Sequence, residues 1–474
     1  MKILLTGATG YIGQRLLPML LNEGHEVYCC VRDKLRFNAD KYANDSGNLK
    51  VIEANFLKPE TLEAIPSDID AAYYLIHSMS VSQGDFETLE AESAENFKTA
   101  ISSTSAKQVI YLSGIVNDEK LSKHLSSRMN VERILSSRSY ALTTLRAGII
   151  VGSGSASFEI IRDLVEKLPV MITPRWLNTR TQPIAIRNVV EYLCGVFGNE
   201  QTYNHSYDIG GKDILTYKEM LLIFAKVRNL KRKIFVVPVM TPRLSSYWLY
   251  FVTSVTYSLA VNLVKSMKVE VICKENNLQQ LLGINLIDYE TAIRMAFDRI
   301  EHHEVASSWT DSLSTNSLDK GVSHYINVPT NGCFTDITKL KYNNLDRSVQ
   351  KIFCIGGENG WYTGDWLWEI RGFLDKLAGG PGLRRGRKDS ENIYTGETLD
   401  FWKVLLASRE DKRLLLYAEM KLPGEAWLEF KIEGDYVVQT ATFRPLGLLG
   451  RAYWYSVFLF HGFIFNGMLK KIAE

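Results

Sequence analysis

Lys2-Ile3-Leu4-Leu5-Thr6-Gly7-Ala8-Thr9-Gly10-Tyr11-Ile12-Gly13 decides the fold. Residues 3–5 read as a short buried strand, and residues 11–22 as a helix with Ile12, Leu16, Leu17 and Leu20 on one face. Between them fall Gly7, Gly10 and Gly13. Glycine permits a tight turn and lets main chain approach a pyrophosphate closely. The helix N-terminus then offers free N–H groups and the positive end of its dipole. Thr6, Gly7, Thr9, Gly10, Tyr11, Ile12 and Gly13 are therefore expected at a dinucleotide phosphate, with Gly13 letting helix and strand pack closely. A plain tight turn is the alternative.

Outward from this loop the pattern repeats. Residues 26–31, 51–54, 71–76 and 108–112 read as further strands, with helical stretches such as 85–101 between several of them. Alternating strands and helices predict a doubly wound, Rossmann-like α/β parallel sheet. The second strand ends Cys30-Val31-Arg32-Asp33. An acid at a strand end here would bind the ribose 2′-hydroxyl of NAD, whereas a planar Arg32 fork suits the 2′-phosphate of NADP. NADP is the expected cofactor and NAD the less favoured one, with a solvated surface arginine as the alternative. Asp33 is expected to point away.

Asn55 and Phe56 follow the third strand and are placed to flank the adenine. His77 follows the fourth, where strand ends meet ligands in open α/β sheets. A packing histidine is the other reading of His77.

Composition narrows the classes. The 474 residues are 46% hydrophobic and 23% charged, which excludes a disordered or collagen-like chain. Lys plus Arg number 55 against 53 Asp plus Glu, so nothing global favours nucleic acid. The six cysteines show no CxxC spacing, and His302-His303 has no ligand-spaced neighbours, so neither a zinc site nor any other metal is expected. The opening apolar run is too short for a signal peptide, so a reduced, cytoplasmic protein is expected.

Residues 305–329 are polar and aperiodic and are taken as a linker between domains at 1–304 and 330–474. The first domain includes a small substrate-side subdomain. In the second, residues 399–406, 414–422, 426–432 and 436–443 read as consecutive strands, with Pro423-Gly424 and Gly434-Asp435 as turns. A helix over 453–472 follows, with Phe458, His461, Phe465 and Leu469 spaced to cover the sheet. This is an α+β, helix-grip arrangement with an antiparallel sheet, which commonly encloses an apolar cavity.

Residues 1–300 resemble the extended or atypical short-chain dehydrogenase/reductases, the NAD(P)-binding, epimerase-like proteins. The matching stretches are Gly7 to Gly13, Tyr111-Leu112-Ser113-Gly114, Leu145 to Gly152, Pro183 to Val190 and Tyr207 to Gly211. Residues 330–474 resemble a domain of unknown function often fused to this subgroup, similar in turn to START-type folds. Its markers are Gly382 to Arg387, Asp400-Phe401-Trp402, Ala418 to Gly424 and Tyr453-Trp454-Tyr455.

The resemblance implies a Tyr-x-x-x-Lys pair with a serine, the tyrosine acting as acid and base. That pair is absent between the fifth and sixth strands. His124 and Arg128 have the same four-residue spacing and share a helical face. His124 could take the place of the tyrosine, and Arg128 could supply the positive charge on the ribose. The resemblance places the catalytic hydroxyl at Ile115 and leaves Ser113 beside the nicotinamide. His124, Arg128 and Ser113 are the candidate catalytic residues, against an ordinary surface helix.

Three features lie outside this site. Residues 244–264 carry no charge and read as a buried helix, an interfacial helix or lid, or a span, which keeps peripheral membrane contact open. Arg384, Arg385 and Arg387 suit an acidic group or a solvated loop paired with Asp375, Glu397 or Asp400. Trp361, Trp366, Trp368 and Trp402 read as core or cavity lining. Two functions remain: an NADP-dependent oxidoreductase or epimerase-like enzyme on an apolar or lipid-like small molecule, and a non-catalytic NADP-binding sensor or assembly factor.

Overall fold

A computed structural model describes residues 1–34, 37, 39, 42, 47–76, 86–115, 123–237, 242–253, 257–301, 326, 328–329, 332–383, 387 and 392–474. The chain divides into two compact units, one of Met1–Lys34 and Ala39–Leu313, the other of Leu35–Asn38 and Ser314–Glu474. The expected linker lies almost wholly outside the described residues.

The first unit is built on seven parallel strands: β1 (Lys2–Thr6), β2 (Glu26–Val31), β3 (Leu49–Glu53), β4 (Ala71–Tyr74), β5 (Gln108–Gly114), β6 (Ala141–Ala147) and β7 (Ser206–Ile209). Their order is β7-β6-β5-β4-β1-β2-β3. The order reverses between β1 and β4, which opens a crevice at the carboxyl ends of the strands. Helix α1 (Gly13–Asn22) buries Leu16, Leu17, Leu20 and Leu21. On one face, α2 (Phe86–Ser102) and α3 (Lys123–Leu135) enclose a core of Leu4, Tyr74, Phe97, Tyr111, Val131 and Leu135. Two adjacent tyrosines show both faces covered. Tyr74 donates to Ser93 on α2 at 3.2 Å, and Tyr73 to the Leu193 carbonyl at 3.0 Å.

The first unit holds a second core. It is formed by α4 (Ala156–Lys167), α6 (Tyr217–Val227), α7 (Pro242–Val252), α8 (Tyr257–Ser266) and α9 (Tyr289–Glu301), with α5 (Ile186–Gly195) packing on α1. Phe158, Phe224 and Phe297 meet there with ring centroids 5.3–5.4 Å apart. The uncharged run 244–264 supplies α7 and α8, and Leu249, Tyr250, Ala260 and Val264 are buried in this core. Among the readings offered for that run, the buried helix is the one these residues show. No helix among the described residues is long and apolar enough to cross a membrane.

The second unit is a six-stranded antiparallel sheet: β8 (Phe334–Lys341), β9 (Thr398–Leu399), β10 (Trp402–Ser408), β11 (Arg413–Ala418), β12 (Gly424–Glu433) and β13 (Tyr436–Pro445), in the order β8-β13-β12-β11-β10-β9. Helices α10 (Leu345–Phe353) and α11 (Asp365–Leu377) precede β9, and α12 (Gly447–Ala473) crosses β13 and β8. A long helix packed on an antiparallel sheet is as expected. Two details differ. Phe458 is half exposed, because Trp454, His461, Phe465, Met468 and Leu469 take the sheet-facing side. Trp366 is also exposed, since two positions before Trp368 it falls on the opposite side of α11. Trp361, Trp368 and Trp402 are core, and neighbouring rings from Trp361 to Trp368, Trp402 and Phe401 lie 5.0–6.1 Å apart, filling that part of the grip.

Candidate functional site

The glycine loop leaves β1 at the point where the sheet order reverses. Thr6 is fully buried. Its hydroxyl donates to the Tyr73 carbonyl at 2.9 Å and accepts from the Leu75 amide at 3.1 Å, which joins the ends of β1 and β4. Its side chain therefore braces the loop from beneath. Gly7 is left-handed at φ +67°, and a Cβ there would lie 2.7 Å from the Leu75 carbonyl oxygen. A Cβ on Gly13 would lie 2.3 Å from the Gly7 carbonyl oxygen. These two glycines are required by the fold itself.

Gly10 differs. A Cβ there would meet one neighbour, the Gly7 oxygen at 3.1 Å, and its φ is not left-handed. Its open side is the space a phosphate would need. Helix α1 starts with no side-chain cap and no acid in its first turn, as suits an anion supplied by a ligand. The residues present thus fit a dinucleotide pyrophosphate.

Arg15 holds the loop from behind, a contact that motif spacing does not reveal. Its guanidinium lies 4.0 Å over the Tyr11 ring and donates to the carbonyls of Tyr11 (3.0 Å) and Ser153 (2.7 Å). Tyr11 itself packs its hydroxyl beside Gly152, where a Cβ would approach to 2.8 Å. Thr9 turns its carbonyl to the Gln14 carboxamide at 3.0 Å.

At the end of β2, Arg32 is exposed and Asp33 is buried. The strand thus ends on an exposed cation. After β3, the Asn55 carboxamide accepts from the Leu57 amide at 3.1 Å. Phe56 is turned inward, 5.6 Å from Phe97, within the core beneath α2. It offers adenine no ring face, because apolar burial takes the side chain. Asn55 and main chain remain for that contact. His77 lies outside the described residues.

Ser113 is buried on the face of β5 that carries Tyr111. Burial raises the Tyr111 phenol above its ordinary range, opposed by Arg128 and a hydrogen bond with Ser113, so Tyr111 stays protonated. Ile115 is buried and its amide bonds the Ala147 carbonyl at 3.1 Å. An apolar side chain thus stands where the resemblance calls for a hydroxyl. On α3, His124 lies in the first turn and Arg128 one turn on. Arg128 reaches the Leu112 carbonyl at 3.4 Å, and its buried Nε has no hydrogen-bond partner among the described residues.

Sequence reasoning did not find the ion pair behind α3. Arg146 grips Glu132 with two hydrogen bonds of 3.1 and 2.7 Å, and Ser206 donates to the same carboxylate at 2.7 Å. No local signal could show it, since the three residues come from α3, β6 and β7. Arg384 and Arg385 lie outside the described residues. Arg387 donates to the carbonyls of Phe353 (2.6 Å) and Ile355 (3.0 Å), satisfying the end of α10. It is a helix cap rather than an anion site. Asp375 is likewise occupied, accepting from the amides of Gly382 (2.9 Å) and Lys421 (2.7 Å).

Comparison with known proteins agrees with this geometry. Residues 7–154 match a family described as NAD(P)H-binding, and residues 331–468 match a protein family of unknown function, DUF2867. No curated protein matches the chain in sequence. Among solved structures, a triphenylmethane reductase from Citrobacter sp. is similar at 18% identity, with TM-score 0.52, over 63% of this chain and 100% of its own. A nucleoside-diphosphate-sugar epimerase from Staphylococcus aureus is similar at 16% identity, with TM-score 0.50, over 62% of this chain and 100% of its own. The first unit therefore has a Rossmann-like fold similar to that of these two proteins.

Proposed function

We propose that the protein is an NADP-dependent oxidoreductase or epimerase-like enzyme acting on an apolar or lipid-like small molecule. The observation that carries this reading is the glycine loop: Gly7 and Gly13 locked by close contacts, Gly10 open, and Arg32 exposed at the next strand end. A bound nicotinamide would supply hydride transfer. Gly10, Tyr11, Ile12 and the start of α1 would hold the pyrophosphate, and Arg32 the 2′-phosphate. Arg128, with a buried donor still unused, would fix the ribose. His124 would give or take the substrate proton, with Ser113 beside the ring. The apolar substrate class rests on the arrangement of the second unit, an antiparallel sheet with a long helix packed on it, which in helix-grip folds commonly encloses an apolar cavity.

The buried Ile115 favours a second reading, a non-catalytic NADP-binding sensor or assembly factor. Titration calorimetry of the full chain with NADPH and NADH tests the shared premise, with Arg32→Ala and Gly10→Asp alongside. Tight NADPH binding that weakens in both variants is expected. No binding of either nucleotide would overturn both readings.

A further inference from the structure

Helix α12 contains no Asp or Glu from Gly447 to Ala473 and is apolar nearly all round. Such a helix is ordinarily covered on every side. One side is covered: Trp454, Phe465, Met468, Leu469 and Ile472 face the sheet. On the other, Leu448, Leu449, Tyr455, Phe460 and Phe463 are each 51–85% exposed.

Helix α11 repeats the pattern. Trp366, Ile370, Phe373, Leu374 and Leu377 fall at helical spacing on one face, each 48–60% exposed. The two stripes adjoin. A Cβ on Gly364, just before α11, would lie 3.8 Å from the Phe463 ring and 3.6 Å from Ile464. Further along, the Arg371 guanidinium sits 5.8 Å from the Tyr453 ring. The helices thus run side by side in opposite directions. Together they expose a band of large apolar side chains of the kind that marks an interaction surface.

Charge selects the occupant. Arg451 and Lys470 are exposed toward the two ends of α12, with Arg371 between the helices, and α12 carries no carboxylate. Helix α11 adds two exposed carboxylates, Asp365 and Glu369, but the cations of the two helices outnumber them: Arg371, Lys376, Arg451, Lys470 and Lys471. Anionic headgroups would neutralise them, while aromatic and leucine side chains enter the headgroup–acyl boundary. We propose that the exposed faces of α11 and α12 dock the protein on the surface of an anionic phospholipid bilayer. The helices lie in its plane, since neither is long and apolar enough to cross.

Sedimentation of the full chain with vesicles tests it. Vesicles of phosphatidylglycerol and phosphatidylcholine in equal parts should bind about tenfold more protein than pure phosphatidylcholine, an advantage that high salt removes. Phe373→Glu and Leu448→Glu, both at exposed positions, should abolish binding while melting temperature stays unchanged. The fluorescence blue shift on binding should shrink in Trp366→Phe while binding persists. No sedimentation with either vesicle, equal sedimentation with both, or variants that bind like the parent would overturn the proposal. So would a dimer in solution that Phe373→Glu splits into monomers.

Discussion

The carbonyl oxygen of Gly7 lies where it would stand 2.3 Å from a Cβ on Gly13, and 3.1 Å from one on Gly10. The same oxygen accepts from the Gly10 amide at 2.8 Å, so it cannot readily move aside. The two distances separate folding from binding. Gly13→Ala should destabilise the first unit by about 3 kcal/mol, at the upper end of overpacking costs. Gly10→Ala should cost about 1 kcal/mol yet weaken NADPH at least tenfold. Thermal melts beside calorimetry check both, and equal stability losses would refute the distinction.

Among the described residues, Arg128 has a buried Nε with no acceptor, and its guanidinium makes a long contact with the Leu112 carbonyl at 3.4 Å. Arg128→Leu should therefore leave the melting temperature nearly unchanged. NADPH affinity should fall about 10- to 100-fold, the worth of hydrogen bonds made by a charged group. Arg128→Lys should restore part of it. A fall in stability with unchanged affinity would make Arg128 a structural residue instead.

His124 has no counterpart on α3 with the same chemistry. In His124→Ala, turnover should drop about 10²- to 10⁴-fold, the usual contribution of a proton-transfer group. NADPH affinity should hold. The check is NADPH oxidation against a panel of carbonyl, quinone and sugar-nucleotide substrates, and unchanged turnover would remove His124 from the chemistry.

His461 is pushed below its ordinary value of 6.5 by burial, with Asp336 at 3.4 Å opposing the shift. The unfolded histidine thus binds its proton first as pH falls. Its contribution to stability is full above the unfolded value and is lost as pH falls through the folded value. Between pH 7.5 and 5.5, the fall in melting temperature should be smaller in His461→Asn than in the parent.

Much of this was legible because local rules and tertiary structure agree. The glycine loop and residues 26–31 appear as expected, since Val27, Cys29, Cys30 and Val31 of that strand are buried. Strand β8 was not legible. Its inward positions include Asp336 and Thr338, while Ile337 faces solvent, so apolar alternation is reversed in part. Phe56 was misplaced because position after a strand does not say which way a ring turns. The Glu132–Arg146–Ser206 contact joins residues up to 74 positions apart, and no window of sequence holds them together.

The order of the parallel sheet also bears on how the chain is made. Strand β1 emerges first from the ribosome and ends near the middle of the sheet. Strands β2 and β3 then add on one side, and β4, β5, β6 and β7 successively on the other. Every newcomer joins an edge already present, and none must be threaded between partners already paired. The antiparallel sheet has the opposite schedule. Among the described residues, strand β8 is the first of this sheet to be synthesised but pairs only with β13, the last. Its unpaired edge waits for the rest of the domain, so ribosome-bound chains stalled before β13 are where misassembly of this protein should concentrate.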